Sequence, residues 1–178
     1  MREDVRTYYA DRGVEVTQDR DQYSTDFGKA MLKISSQDSA STQRETLVLG
    51  TLAGRVDQGL GLLHEMIREE NKDPNLRLWL FSETNLSIIL RPKLNTFQGL
   101  IASGLFTENV GIVPIYGPAT ITTFGLEWDV DEWYTEMGHQ VSTSNHVKRD
   151  EVLIHTNFPV LFTIERVAMS TGQVGEAA

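Results

Sequence analysis

Cysteine is absent from this chain of 178 residues. A disulfide framework and a thiolate metal site are therefore excluded, and the composition fits a reducing compartment. No apolar run approaches the roughly 18 residues that a membrane span needs. Residues 1–13 also lack the apolar core of a secretory signal. We therefore expect no membrane partner and a cytoplasmic location.

An excess of positive charge is also missing. The chain carries 25 acidic and 16 basic side chains, which gives a net charge of −9. Residues 1–90 hold 15 acidic and 11 basic groups, and residues 91–178 hold 10 and 5, so neither half offers a basic surface. Binding to nucleic acid is accordingly not expected. The acidic surface also repels polyphosphates at long range, so any phosphate chemistry must be local and metal-assisted.

The first half of the chain alternates between helical and strand-like patterns. Apolar residues at helical spacing predict helices, and short β-branched or apolar runs predict strands. The predicted helices are 4–12, 26–34 and 57–70, the predicted strands are 14–17 and 46–49, and 35–45 is a predicted polar loop. This alternation favours an α/β layer with parallel strands.

The second half contains short β-rich runs separated by glycine and proline. Residues 76–82 and 86–94 have the pattern of a hairpin. Further runs follow at 99–105, 109–117, 120–128, 139–145, 151–156 and 160–167, with a brief helical turn at 131–137. The pattern predicts a small antiparallel sandwich or barrel. The predicted divisions are an α/β domain at 1–75, a β-rich domain at 76–170 and a frayed tail at 171–178.

The segment QDRDQYSTDF collects oxygen ligands before a predicted helix. Its carboxylates and hydroxyls belong to Asp19, Asp21, Asp26, Ser24 and Thr25. One or two carboxylates can bind Mg²⁺ while phosphates complete its shell, and a helix N-terminus favours anions. The alternative is a solvated polar loop with an N-cap and an acidic first turn.

The segment LGTLAGRVDQ places Arg55 and Asp57 two positions apart, after an apolar strand and a loop of small residues. In open α/β sheets, ligands lie beyond the carboxyl ends of the strands. Arg55 could hold phosphate oxygens there, and Asp57 a metal ion. The spacing does not match a Walker A loop. The alternative is an ordinary loop in which Asp57 lies near a helix start.

Trp128 and the run from Ser142 to Asn145 supply an aromatic ring and four consecutive polar side chains. Such groups suit a planar heterocycle. The alternative is a core tryptophan and a hairpin turn rich in serine and threonine. The four histidines show no metal-binding spacing, and the chain has neither a GxSxG elbow nor a cysteine nucleophile. Acyl-enzyme chemistry is therefore disfavoured.

Several motifs, in order along nearly the whole chain, resemble those of the eukaryotic thiamine pyrophosphokinases. In the first half they read REDVRTYYADRG, DQYSTDFGKA and GTLAGRVDQ. In the second half they read GIVP, TTFGLEW, VSTSN and TNFPVLFTI, which together resemble the family's C-terminal signature. Each motif alone is modest, but their order and spacing are similar to those of the family.

The resemblance implies a fold and a reaction. The fold is a partial αβα, Rossmann-like catalytic layer, followed by an antiparallel β-sandwich or barrel that binds thiamine. In the reaction, the hydroxyl of thiamine attacks the β-phosphorus of ATP, and thiamine diphosphate and AMP form with Mg²⁺. Such a transfer depends on positioning and charge neutralisation more than on covalent chemistry.

The resemblance also implies roles for residues of the first half. Asp26 and Asp57 hold Mg²⁺, and Asp26 can accept the hydroxyl proton. Arg55 binds phosphate oxygens, which completes a catalytic set of Asp26, Asp57 and Arg55. Gln22 and Thr25 orient polar groups of the nucleotide or the substrate.

For the second half, the resemblance implies a thiamine site. Trp128 packs against the ring system, and Ser142 and Asn145 form hydrogen bonds in the same pocket. The family forms homodimers with active sites between the subunits, so Trp128 and Ser142 can serve the partner's site.

The chain departs from the family in two places. Some members have an acidic residue where Tyr23 stands. The family's GDxDS loop, whose aspartates bind metal, lies upstream of the position at which Met1 stands. We therefore expect little kinase activity from this chain alone. The alternative function is a non-catalytic module for thiamine binding and dimerisation, derived from the enzyme.

Overall fold

The computed structural model describes residues 1–37 and 44–168. The chain divides into two compact units, Met1–Ala40 and Ser41–Ala178. Within the described ranges, no helix is long and apolar enough to cross a membrane. Residues 38–43 of the predicted polar loop, and the predicted frayed tail, lie outside the described residues.

The first unit contains two helices, α1 (Glu3–Ala10) and α2 (Asp26–Gln37). Helix α1 confirms the helix predicted at 4–12. Gly13 follows it in left-handed backbone with a φ of +74° and donates its N–H to Ala10 O at 3.0 Å. Glycine adopts this conformation without strain, which explains where the helix stops.

Helix α2 begins at a side-chain cap. The hydroxyl of Thr25 accepts the N–H of Gly28 at 3.0 Å, so Thr25 is the N-cap. Met31 is buried on the inner face of the helix. The strand predicted at 14–17 is wrong. A strand needs a hydrogen-bonded neighbour, and the described part of this unit contains helices only.

The second unit is built from one helix and ten strands within its described residues. In chain order these are β1 (Arg44–Leu49), α3 (Val56–Lys72), β2 (Leu76–Phe81), β3 (Asn85–Leu90), β4 (Lys93–Gln98), β5 (Phe106–Val113), β6 (Ala119–Phe124), β7 (Trp133–Thr135), β8 (Ser142–His146), β9 (Glu151–Thr156) and β10 (Val160–Arg166). Helix α3 and strand β1 confirm the helix predicted at 57–70 and the strand predicted at 46–49.

The strands form two sheets. The six-stranded sheet has the order β1-β2-β3-β10-β5-β8, and the four-stranded sheet has the order β4-β9-β6-β7. Strands β1 and β2 pair in parallel, and the other neighbours are antiparallel. The mixed α/β class is therefore confirmed. The division predicted between residues 75 and 76 stays a prediction, and β1 and β2 lie on either side of it in one sheet.

The hairpin of β2 and β3 is confirmed, but its second strand is shorter than predicted. The run predicted at 86–94 breaks at Pro92, and β3 and β4 belong to different sheets. Proline has no N–H to donate to a ladder, so the strand cannot continue through it. Residues 131–137, predicted as a helical turn, contain β7 instead. Residues 99–105, predicted as β-rich, form turns up to position 104.

The main apolar core lies between the two sheets. Its members come from the facing sides of both, together with nearby loops: Ile88, Leu90, Leu100, Val110, Ile112, Ala119, Ile121, Leu126, Val147, Val152, Ile154, Val160, Phe162 and Ile164. The rings of Phe162 and Phe97 stack at 4.6 Å between centroids. Alternation of apolar and polar residues along the strands puts these side chains on one face of each sheet.

Helix α3 packs on the other face of the six-stranded sheet, next to β2. Apolar spacing predicts a buried face made of Leu60, Leu63, Met66 and Ile67. Met66 is fully buried, but Leu60 is 62% exposed. Three glutamates are buried in this helix: Glu65, Glu69 and Glu70. The apolar pattern did not predict that these glutamates are buried, since they are charged residues. Arginine and lysine side chains nearby balance their charges in the fold.

Glu70 fills a gap in the backbone ladder. Strand β2 pairs with β3 only from Trp79 onward, and just before that point Glu70 Oε1 accepts the N–H of Leu78 at 2.9 Å. The guanidinium groups of Arg77 and Arg91 lie 3.8 Å from the other carboxylate oxygen. Burial raises the pKa of Glu70 above its ordinary value of 4.5, although these contacts act in the opposite direction.

Substitution of Glu70 tests this network. Glu70→Ala should lower the free energy of unfolding by about 2–3 kcal/mol, because the buried N–H of Leu78 loses its acceptor and two guanidinium groups lose a nearby carboxylate. Glu70→Gln keeps an acceptor oxygen and should cost less than about 1 kcal/mol. Urea unfolding measures both values. Equal losses in the two variants would contradict the role of the oxygen acceptor.

The contribution of Glu70 to the stability of the fold should decrease as the pH rises. Because the pKa of Glu70 is raised in the folded state, its contribution to stability is complete below pH 4.5 and is lost as the pH rises through the raised value. The unsubstituted chain should therefore lose stability relative to Glu70→Gln as the pH rises above 4.5 and through the raised pKa. A constant difference between the two proteins would contradict the raised pKa.

Candidate functional site

Arg55 and Asp57 meet at the start of α3, beyond the carboxyl end of β1. Arg55 Nε donates to Asp57 Oδ1 at 3.1 Å, and Arg55 Nη2 donates to Asp57 Oδ2 at 2.6 Å. Both side chains are exposed. The Arg55 guanidinium lowers the pKa of Asp57, and the carboxylate raises the pKa of Arg55. The structure thus brings together two of the residues predicted for phosphate and metal binding.

A glycine lets the loop before α3 pack closely on the first turn of the helix. A Cβ atom at Gly59 would lie 2.7 Å from Leu52 O, which is closer than real Cβ contacts. Gly54 has a φ of +86°, in the left-handed region. These two glycines therefore fix the loop that carries Arg55.

The acidic segment QDRDQYSTDF of the first unit is held by hydrogen bonds between its own residues. Asp19 Oδ1 accepts the N–H of Asp21 at 2.9 Å, and Asp21 Oδ1 accepts the N–H of Tyr23 at 2.8 Å. The hydroxyl of Ser24 donates to Asp21 Oδ2 and is the main cause of a lowered pKa at Asp21. The polar-loop alternative therefore describes the conformation of this segment well.

Asp26 lies in the first turn of α2 and lines a cavity of about 710 Å³ within the first unit. Asp19 and Lys29 are among the other lining residues. The amide of Gln22 donates to Arg20 O at 3.4 Å, and the hydroxyl of Thr25 caps the helix. The contacts of Gln22 and Thr25 with a nucleotide remain predictions.

Trp128 lies in the turn that follows β6. The carboxylate of Asp129 accepts the N–H groups of Gly125 at 2.9 Å and Leu126 at 3.1 Å, and the hydroxyl of Thr123 at 3.1 Å. The indole of Trp128 is 56% exposed, so this residue is not a core tryptophan. The turn presents a flat aromatic surface at the end of the strand.

Asn145 joins strand β8 to this turn. Its Oδ1 accepts the N–H of Trp128 at 3.2 Å and that of His146 at 2.8 Å, and its Nδ2 donates to Trp128 O at 3.0 Å. Ser142 lies at the start of the same strand, opposite Ile112. The structure therefore places Trp128 and Asn145 in contact, with Ser142 three residues away along β8.

Three charged or titratable side chains beside Trp128 were missed by the sequence analysis. The ring of His146 lies 5.4 Å from the indole of Trp128, and its Nδ1 is 2.8 Å from Glu127 Oε2. Lys148 Nζ is 3.2 Å from the same oxygen, and the pKa of Glu127 is lowered chiefly by Lys148 and then by His146. The available signal was that Glu127 lies within TTFGLEW and that His146 and Lys148 closely follow VSTSN.

In the second unit, the Arg55–Asp57 pair and Trp128 lie at opposite edges of the six-stranded sheet. Arg55 and Asp57 follow β1, which is one edge strand, whereas Trp128 is joined to β8, which is the other. Five strand spacings separate these edges, or about 24 Å. One copy of this unit therefore does not bring Arg55 and Trp128 together. Over the described residues, no group of three or more histidine, aspartate or glutamate side chains is arranged to hold a metal ion.

Two family models match the chain. The thiamin pyrophosphokinase catalytic domain matches residues 1–80, and the thiamin pyrophosphokinase vitamin B1 binding domain matches residues 97–161. Together they cover more than half of the chain. The chain belongs to the thiamine pyrophosphokinase family.

Curated relatives agree with this assignment. Thiamine pyrophosphokinase 1 of Oryza sativa subsp. japonica is 32% identical over 92% of this chain and 62% of its own length. Thiamine pyrophosphokinase 1 of Arabidopsis thaliana is 33% identical over 92% and 61%. The chain thus spans about three fifths of the length of these two thiamine pyrophosphokinases.

The fold of the family is seen in two solved structures. Thiamin pyrophosphokinase from Candida albicans has a TM-score of 0.82 at 20% identity, over 94% of this chain and 70% of that one. The yeast thiamin pyrophosphokinase has a TM-score of 0.81 at 22% identity, over 94% and 67%. At these identities the likeness shows the shared fold.

Proposed function

We propose that this chain is a thiamine pyrophosphokinase polypeptide, which transfers the pyrophosphoryl group of ATP to the hydroxyl of thiamine and releases AMP. The observation that carries the proposal is the pair of ordered domain matches, because Arg55 and Asp57 fall in the catalytic one and Trp128 and Asn145 fall in the vitamin B1 binding one. Relatives that carry this name match along most of the chain.

We infer that β1, β2 and α3 are part of a Rossmann-like nucleotide-binding layer. Parallel strands with a helix on one face are typical of such layers, and phosphate groups bind beyond the carboxyl ends of their strands. Arg55 and Asp57 occupy that position. The two sheets that enclose the apolar core would then form the thiamine-binding β-sandwich.

The carboxylates fit a magnesium ion. Asp57 and Asp26 are exposed hard-oxygen donors, and Mg²⁺ is commonly held by one or two carboxylates together with water and phosphate oxygens. When bound, the ion would neutralise charge on the phosphates. Arg55 binds both oxygens of Asp57 through Nε and Nη2, so its Nη1 is left to donate to phosphate oxygens while this ion pair stays closed.

The residues of the chain then have distinct tasks. The hydroxyl oxygen of thiamine forms a bond to the β-phosphorus of ATP, the bond from that phosphorus to the oxygen bridging the α- and β-phosphates breaks, and AMP leaves. Asp26 takes the hydroxyl proton, and Arg55 stabilises charge on the phosphate oxygens. Gln22 and Thr25 orient the nucleotide, while Trp128, Ser142 and Asn145 form the thiamine site.

We also propose that the active form is a homodimer with the active site between the subunits. Within one copy, the phosphate-binding pair and the thiamine platform lie at opposite edges of a sheet about 24 Å across. A second copy can bring its own Trp128 and Ser142 to the Arg55 of the first. In such a dimer the phosphate-binding pair and the thiamine platform can face one active site, although they are far apart within one copy.

Thiamine binding and AMP formation test the proposal in one set of samples. Calorimetric titration should detect thiamine binding to the purified chain, and Trp128→Ala should weaken it about tenfold or more, because ring stacking contributes on the order of 1–2 kcal/mol. Tyr134→Ala is the matched control, since Tyr134 is another exposed aromatic residue, and it should leave thiamine affinity unchanged.

The same samples, given ATP, thiamine and Mg²⁺, are assayed for AMP and thiamine diphosphate. Formation of both products supports the kinase. Thiamine binding without product supports the binding-module alternative. Absence of both would remove the proposed function.

A further inference from the structure

Asn145 is enclosed, and its side chain forms three hydrogen bonds to backbone groups. Its side chain is only 4% exposed, although asparagine is usually a surface residue. One amide binds both the N–H and the C=O of Trp128, and it also accepts the N–H of the next residue on its own strand. Such a pattern locks the peptide groups of Trp128 to β8.

The turn from Gly125 to Asp129 is held at two places by two different side chains. Asp129 binds the first N–H groups of the turn, at Gly125 and Leu126. Asn145 binds the backbone of Trp128 from outside the turn. Asp129 therefore sets the shape of the turn, and Asn145 sets where Trp128 stands relative to the sheet.

We propose that Asn145 is a positioning residue that sets thiamine affinity through Trp128, without itself binding the ligand. The inference rests on the proposed function. Backbone groups use both acceptor positions of Oδ1 and one N–H of Nδ2, and Asn145 is only 4% exposed, so little of its amide is left for a ligand to contact. The exposed indole of Trp128 can stack on a ring while the backbone of Trp128 stays fixed. The backbone of Trp128 is therefore already ordered before the ligand binds.

The test compares Asn145→Ala with Asn95→Ala. Asn95, on β4, is the control, because its side chain, like that of Asn145, forms three hydrogen bonds to backbone groups. Its amide donates to the carbonyls of Arg91, Lys93 and Ile154. Amide hydrogen exchange at Trp128, followed by NMR, and thiamine affinity, followed by calorimetry, are measured for each protein. Asn145→Ala should speed exchange at Trp128 and weaken thiamine binding, each about tenfold or more. Asn95→Ala should change neither.

Asn145→Asp serves as the second variant if Asn145→Ala does not fold. It keeps an acceptor oxygen but replaces the donor to Trp128 O by a carboxylate oxygen, so exchange at Trp128 and thiamine affinity should still change together. Weaker thiamine binding with unchanged exchange at Trp128 would overturn the inference in favour of direct contact. Faster exchange with unchanged affinity would overturn it as well.

Failure of the proposed function is distinguishable from failure of this inference. If the unsubstituted chain binds no thiamine, the proposed function is lost together with the affinity part of the inference. Exchange at Trp128 still decides, in the same samples, whether Asn145 holds the turn.

Discussion

Gly125→Ala is expected to lower the free energy of unfolding by about 3–5 kcal/mol and to abolish thiamine binding at Trp128. Gly125 has a φ of +97°, and a Cβ atom there would lie 2.4 Å from Glu151 O. Strained backbone and overpacking each cost on the order of 1–3 kcal/mol. The backbone of β9 cannot move away without breaking its pairing with β4 and β6, so the turn must shift instead.

Gly138→Ala separates the two causes of this loss. Gly138 has a similar φ of +88°, but a Cβ atom there meets nothing within 4 Å. This control should cost only the backbone strain, about 1–2 kcal/mol, and should leave thiamine affinity unchanged. Urea unfolding and calorimetric titration give both numbers. Equal losses in the two variants would show that the contact with Glu151 O is unimportant.

Asp57→Asn is expected to reduce Mg²⁺-dependent formation of AMP by about 100-fold or more, with thiamine affinity unchanged. The substitution removes a hard anionic oxygen from the proposed metal site, and loss of one charge-stabilising group commonly costs two to three orders of magnitude in rate. Stability should hardly change, because the Arg55–Asp57 pair is exposed. Product formation, thiamine titration and urea unfolding measure the three effects.

Asp4→Asn provides an unusually close control for Asp57→Asn. Asp4 also lies in the first turn of a helix, is exposed and pairs with an arginine two residues before it, Arg2, at 3.1 Å. Its substitution should leave AMP formation unchanged. Full activity in Asp57→Asn would remove the metal role of Asp57. If Asp4→Asn also loses activity, a general effect of helix charge would be the better explanation.

Local signals in the sequence predicted the elements and pairs that depend on neighbouring residues. Thr25 caps α2 because its hydroxyl reaches an N–H three residues later. Arg55 and Asp57 meet because they are two positions apart at a helix start. The hairpin of β2 and β3 needs only a short turn between two apolar runs. In each case the interaction is completed within a few residues of the chain.

Features that depend on distant partners were not predictable in the same way. Residues 14–17 have a β-branched pattern, but no strand is present to pair with them in the described part of their unit. The carboxylate of Glu70 binds Leu78 N–H where β2 does not pair with β3, and only the folded sheet reveals this position. Asn145 was expected to bind a ligand, and its link to Trp128, 17 residues away, depends on how β8 lies beside the turn.

The six-stranded sheet has a mechanical consequence for the family's division into two parts. The catalytic match ends at residue 80, yet one sheet runs from β1 through β2, β3, β10 and β5 to β8. If the chain were divided between the two matched regions, each fragment would have a strand with unpaired backbone N–H and C=O groups. The two halves therefore share one hydrogen-bonded sheet, so neither half has its full complement of paired strands without the other.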